Sequence, residues 1–232
     1  MPNEPVSSSH VSLIPPQPMP EGAREFSDRM RGLLDGNAKD EATVARALEG
    51  MDAMLDAIAG RLYSLASMMV GEGEDSVRLV EAAIATTDVS ACSDPVQGRK
   101  LSRRAMAKAA LEMIAERDPV SLAAPEGVES LGGCIDNDDL DAAGVSGDEL
   151  EQMMNGPDRD RLRNWLEKLP VDVRTVFSLR AVAGFTPQET AALLAQYGGP
   201  KALGWSADGV RMVFRQGLCS LASQLLQASL KS

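Results

Sequence analysis

Arg211, Met212, Arg215 and Gln216 stand close together near the end of a 232-residue chain. With Asp208 and Cys219 they recur at the three- and four-residue steps that define one face of a helix. Arg211 and Arg215 are one helical turn apart. A guanidinium can donate two hydrogen bonds to guanine and a Gln carboxamide can pair twice with adenine, so such a face suits the major groove of duplex DNA. The other reading of the same residues is a helical hairpin with a solvated basic face. A second basic group, Arg99, Lys100, Arg103, Arg104 and Lys108, has the charge to bind strand phosphates, or equally to make a solvated helix face. Catalytic chemistry has no comparable constellation. The only histidine, His10, lies in a Pro/Ser-rich leader, and no nucleophile elbow, phosphate loop or dinucleotide glycine pattern occurs. No catalytic residue, metal or cofactor is expected. Cys92, Cys134 and Cys219 are widely separated and odd in number, and are expected to be structural thiols.

The elements that must hold Arg211 and Arg215 are legible around them. Val210, Val213, Phe214, Gly217, Leu218 and Leu221 follow the opposite face of the same helix, which Ser206 can cap, and predict its buried side. Upstream, Thr186-Pro187-Gln188-Glu189 has Thr at the N-cap, Pro at the first helical position and Glu at the third, a capping box that starts a short helix through Ala195. Leu162, Trp165, Leu166 and Leu169 predict a helix that stops at Pro170. Another runs from Val171 to Ala183, with Gly184 at its C-terminus. A short capped helix, a turn and a longer helix with outward Arg and Gln is a helix-turn-helix arrangement over 158–232.

Earlier in the chain, Val44, Leu48, Met51, Leu55, Ile58, Leu62, Leu65 and Met69 form one apolar stripe from Asp40 to Val70, interrupted at Gly71-Glu72-Gly73. Further helices are expected from Asp75 to about Thr86, burying Val77, Val80 and Ile84 or a nearby face, and from about Pro95 to Arg117, burying Leu101, Met106, Ala110, Met113 and Ile114. Between Asp118 and Asp158 there are eleven acids and no Lys or Arg, which reads as a flexible acidic linker with at most a short helix around Asp148–Met154. Prolines at 5, 15, 16, 18 and 20 mark residues 1–24 as a disordered leader. The expected fold is therefore all-α, with a helical domain over 25–117, a linker over 118–157 and a second helical domain over 158–232. Aromatic residues are only 3% of the chain, which agrees with helices filled by Leu, Ala, Val and Met. The net charge of −11 conceals an asymmetry. Residues 161–232 carry nine Lys/Arg against four Asp/Glu, a net of +5, which leaves −16 on the rest. No apolar run reaches the ~20 residues of a membrane span and no signal peptide is evident, so a cytoplasmic location without membrane contact is expected.

The C-terminal motifs resemble a known family. Leu169-Pro170, Val176 to Arg180, Gly184 to Ala191, and Ser206 to Leu221 are similar to the C-terminal domain of RNA polymerase sigma factors, above all the extracytoplasmic-function group. Leu62-Tyr63-Ser64-Leu65-Ala66, Gly71 and Glu74 to Ile84 resemble that family's N-terminal domain in the same order, and Arg99 to Lys108 occupy the place of its minus-ten helix. The resemblance implies a transcription-initiation factor that binds core RNA polymerase through its β′ and β subunits and reads promoter DNA, with an anti-sigma factor as a further partner. It implies DNA contacts from Thr186, Gln188, Ser206, Arg211, Met212, Arg215, Gln216, Arg103, Arg104 and Lys108. Polymerase contacts are implied for Glu74, Asp75, Arg78, Leu79 and Glu81. Arg78 and Glu81 depart from the family's pattern at 78–81, which keeps a second reading open: a sigma-like protein that no longer initiates transcription, acting as a DNA-binding regulator or an anti-sigma decoy.

Overall fold

A computed structural model describes residues 59–87, 95–125, 134–135 and 138–229, and every regular element within them is helical. The leader, the stripe before residue 59 and Cys92 lie outside the described residues. The first described helix, α1 (59–70), buries Leu62, Leu65, Ala66 and Met69, the one-face spacing that the sequence displays. It ends at Gly71, whose φ of 91° lies in the left-handed region that glycine enters without strain. Helix α2 (Glu74–Thr86) starts with Glu74 and Asp75, which complement the positive end of its dipole. It buries Ser76, Leu79, Val80 and Ala83, while Val77 and Ile84 are only half-buried. The buried side is thus the face next to Val77 and Ile84, running through Ser76, Leu79, Val80 and Ala83.

That neighbour is α3 (Pro95–Arg117). Met106, Ala107, Ala110, Leu111 and Ile114 are buried along it, whereas Leu101, expected in the core, is 44% exposed. Helix α3 packs against α2 and also against a helix of the C-terminal half.

The acidic stretch takes definite positions where it is described. Leu122 is fully buried, and its carbonyl accepts a hydrogen bond from Trp205 Nε1 at 2.9 Å. The Ala124 amide donates to Lys201 O at 3.0 Å. A 3-10 turn at Leu140–Ala143 leads through Gly144 to α4 (Gly147–Asn155), which begins with a capping box between Ser146 and Glu149. This short helix sits where sequence allowed one, but Leu122, Ile135, Ala143, Val145 and Leu150 are core residues, unlike those of a solvated spacer.

The C-terminal half continues with α5 (Arg159–Glu167) and α6 (Val171–Phe177), which widens into a π turn over Ser178–Val182 before Gly184. Next come α7 (Pro187–Tyr197), a 3-10 turn at Pro200–Ala202, and α8 (Ala207–Ser229). Trp165, Phe177 and Phe214 stack at the centre, with ring centroids 5.1 and 5.7 Å apart. Gly217 lies close beside them: a Cβ there would sit 3.1 Å from Phe177 Cδ2, so the ring would have to give by a few tenths of an ångström. The two halves touch. Glu72, between α1 and α2, pairs with Arg159 and Arg163 at 2.6 Å each, and the buried apolar residues of both halves belong to one cluster.

Candidate nucleic-acid interface

Helices α7 and α8 pack directly on each other. The start of α7 follows from its capping box: Thr186 Oγ1 accepts from the Glu189 amide at 3.2 Å, and the Thr186 amide donates to Glu189 Oε2 at 2.9 Å. These hydrogen bonds, with Lys100 3.6 Å from the carboxylate, hold Glu189 below the usual carboxylate range. A carboxylate with a lowered folded-state pKa contributes stability that is complete above its unfolded value and is lost as pH falls through the folded one. Replacing Glu189 with Gln should therefore flatten the loss of stability between about pH 5 and pH 3. Urea denaturation at each pH measures this, and equal slopes in both proteins would disprove it.

The predicted inner face of α8 is the observed one, with Val210, Val213, Phe214, Gly217, Leu218 and Leu221 buried. Ser206 caps the helix by accepting from the Gly209 amide at 3.1 Å. On the other side, Gln216 is exposed and Met212 is half-buried against the core. Arg215 Nε donates to Arg211 O at 3.4 Å. Arg211 is held by two carboxylates, Asp208 at 2.6 Å and Asp138 at 3.7 Å. Thr186 and Gln188 are exposed at the start of α7. Cys219, expected as a thiol, is bonded to Cys134. Sequence reasoning did not single out Arg180, which reaches this surface from the π turn. Its guanidinium lies 5.0 Å from the Phe214 ring centroid, donates to Phe185 O at 2.8 Å and is 3.3 Å from Asp138 Oδ2. Burial pulls its pKa down, opposed by Asp138 and Asp139.

The basic group on α3 is divided. Arg104 is exposed. Lys108 lies 3.9 Å from Glu112 and 5.5 Å from the Tyr197 ring centroid. Arg103 turns towards the C-terminal half and donates to Ala183 O at 3.3 Å. With Arg61, Arg99, Lys100, Ala183–Phe185 and Glu189 it lines an open cavity of about 530 Å³. The face expected to meet polymerase is also divided. Glu74 and Arg78 are exposed and pair with each other at 2.6 Å. Asp75 pairs with Arg117 at 2.7 Å, Glu81 is partly exposed, and Leu79 is in the core, so it offers no surface.

Among the described residues no cluster of His, Cys, Asp and Glu could hold a metal, and no helix is long and apolar enough to cross a membrane. No protein-family model, no curated protein and no solved structure matches the chain.

Proposed function

We propose that the chain is a sigma-type transcription-initiation factor of the cytoplasm, not an enzyme, which docks on core RNA polymerase through its N-terminal half and reads promoter DNA with a C-terminal helix-turn-helix. The observation that carries this reading is the pair α7 and α8: a capped short helix packed on a longer one whose inner face is apolar and whose outer face carries Arg211, Arg215 and Gln216. Arg and Gln on such a helix are the side chains that pair with base edges in a major groove. The basic C-terminal region adds the charge that phosphate contacts need.

Under reducing conditions, Arg215→Ala should keep its helical circular dichroism and lose affinity for a selected promoter duplex. A lost base contact would cost about 1–3 kcal/mol at one position, whereas a lost phosphate contact would weaken all sequences and lower the salt slope by about 1. Binding to selected and random duplexes at two salt concentrations reads both, and wild-type behaviour in all four measurements would refute DNA reading by this helix. The second reading, a sigma-like regulator or anti-sigma decoy, is favoured by the burial of Leu79 and the inward turn of Arg103. Co-purification with core RNA polymerase separates the two, since only the initiation factor should be retained.

A further inference from the structure

The acidic stretch and α8 meet at four places. Pro125 Cγ would lie 3.5 Å from a Cβ at Gly209, near the start of α8. Asp138 contributes its carboxylate to both Arg211 and Arg180, and its backbone oxygen accepts from Arg180 Nη2 at 3.3 Å. Cys134 is joined to Cys219, two turns beyond Arg211, and the Leu140–Ala143 turn packs against the same helix. Asp138 thus sits against the two guanidiniums that a DNA phosphate or base edge would approach, and carboxylate and nucleic acid cannot occupy them together.

Charge alone would make this a weak cover. Arg211 and Asp138 are about one-third exposed, and ion pairs so open to water contribute little and are screened by salt. A covalent tie changes the balance, because it joins the two segments close to the contact, in place of the long stretch of chain between them, and so raises the effective concentration of the carboxylate. In reducing compartments a disulfide is commonly transient and sensory rather than structural.

We propose that Cys134, Asp138 and the Leu140–Ala143 turn act as a redox-released clamp: while Cys134 and Cys219 are joined, Asp138 and the Leu140–Ala143 turn cover the Arg211 face of α8 and exclude duplex DNA, and reduction of the bond opens that face. This rests on the reading of α8 as a DNA-binding helix. The reductant is a thiol or dithiol, such as a protein with a Cys-x-x-Cys site. Its thiolate attacks the sulfur of Cys134, the more exposed of the two residues, and Cys219 leaves as a thiolate that takes up a proton. The second reductant thiol then displaces Cys134. Two electrons and two protons pass to the chain, giving two thiols, and the reductant becomes a disulfide.

The test uses the full chain with Cys92→Ser, so that only one disulfide can form. Affinity for a random-sequence DNA duplex is measured in the oxidised protein, the reduced protein, Cys134→Ser and oxidised Asp138→Asn. Hydrogen exchange of 138–146 and 207–216 is followed in the same samples without DNA. Reduction and Cys134→Ser should each tighten binding by about tenfold or more, Asp138→Asn should tighten it less, and both segments should exchange faster once the bond is broken. Equal affinities with unchanged exchange would overturn the clamp. Absence of DNA binding in every state, with faster exchange on reduction, would refute the DNA reading while supporting the redox-released cover. Affinity that changes on reduction but not in Cys134→Ser would overturn the role of this bond.

Discussion

Phe177→Ala should destabilise the protein by about 3–5 kcal/mol, the usual range for removing a fully buried aromatic ring. Phe177 has no exposed surface, meets Trp165 edge-on and lies beside Phe214. It also fills the space that Gly217 leaves open on α8. Its removal therefore opens a void where α5, α6 and α8 converge, and none of these helices can close it without moving the others. Small domains have a total stability of only about 5–15 kcal/mol, so a large share of it would be lost. Urea unfolding followed by circular dichroism measures the change. A loss below about 1 kcal/mol would mean that the three rings do not form the central packing unit.

The second large effect is expected at Trp205, which ties the acidic stretch to the C-terminal half. Trp205→Ala removes a side chain that is 6% exposed and strips the buried Leu122 carbonyl of its donor. The combined cost should be about 3–5 kcal/mol. Trp205→Phe keeps most of the volume and isolates the hydrogen bond, at about 1–3 kcal/mol for the unsatisfied carbonyl. Limited proteolysis distinguishes docking from mere proximity. In Trp205→Ala, cleavage within 118–125 should come well before loss of the helical signal, whereas in the wild type that stretch should resist. An identical cleavage pattern in both proteins would show that Trp205 does not hold it.

Elements whose cause is local could be read from the chain. The Thr186–Glu189 capping box, the glycine stops at Gly71 and Gly184, and the apolar row of α8 depend on neighbours within a few residues, and their spacing displays them. The extent of α3 was legible for the same reason, but its buried face was not. Leu101 is 44% exposed while Leu111 is fully buried, and α3 packs on two neighbours, one of which comes from the other half of the chain. Leu122 and Trp205 are 83 residues apart, and Cys134 and Cys219 are 85 apart. No periodicity links such pairs, so the acidic stretch reads as a spacer and the cysteines as unrelated thiols. Of the residues proposed to face DNA, position on the outer face of α8 was legible, but the engagement of Arg211 by Asp138 was not.

The Cys134–Cys219 bond also decides how the chain would respond to mechanical load. A pull applied between the two ends would pass across the bridge from the acidic stretch straight into the later part of α8. Helices α4 to α7 lie on the closed loop between the two sulfurs, so tension would reach them only through the non-covalent contacts they make with the earlier part of the chain. While the bridge is intact, only the chain before Cys134 and the short segment after Cys219 can be drawn out. Breaking it would return the slack of those 85 positions to the extensible length.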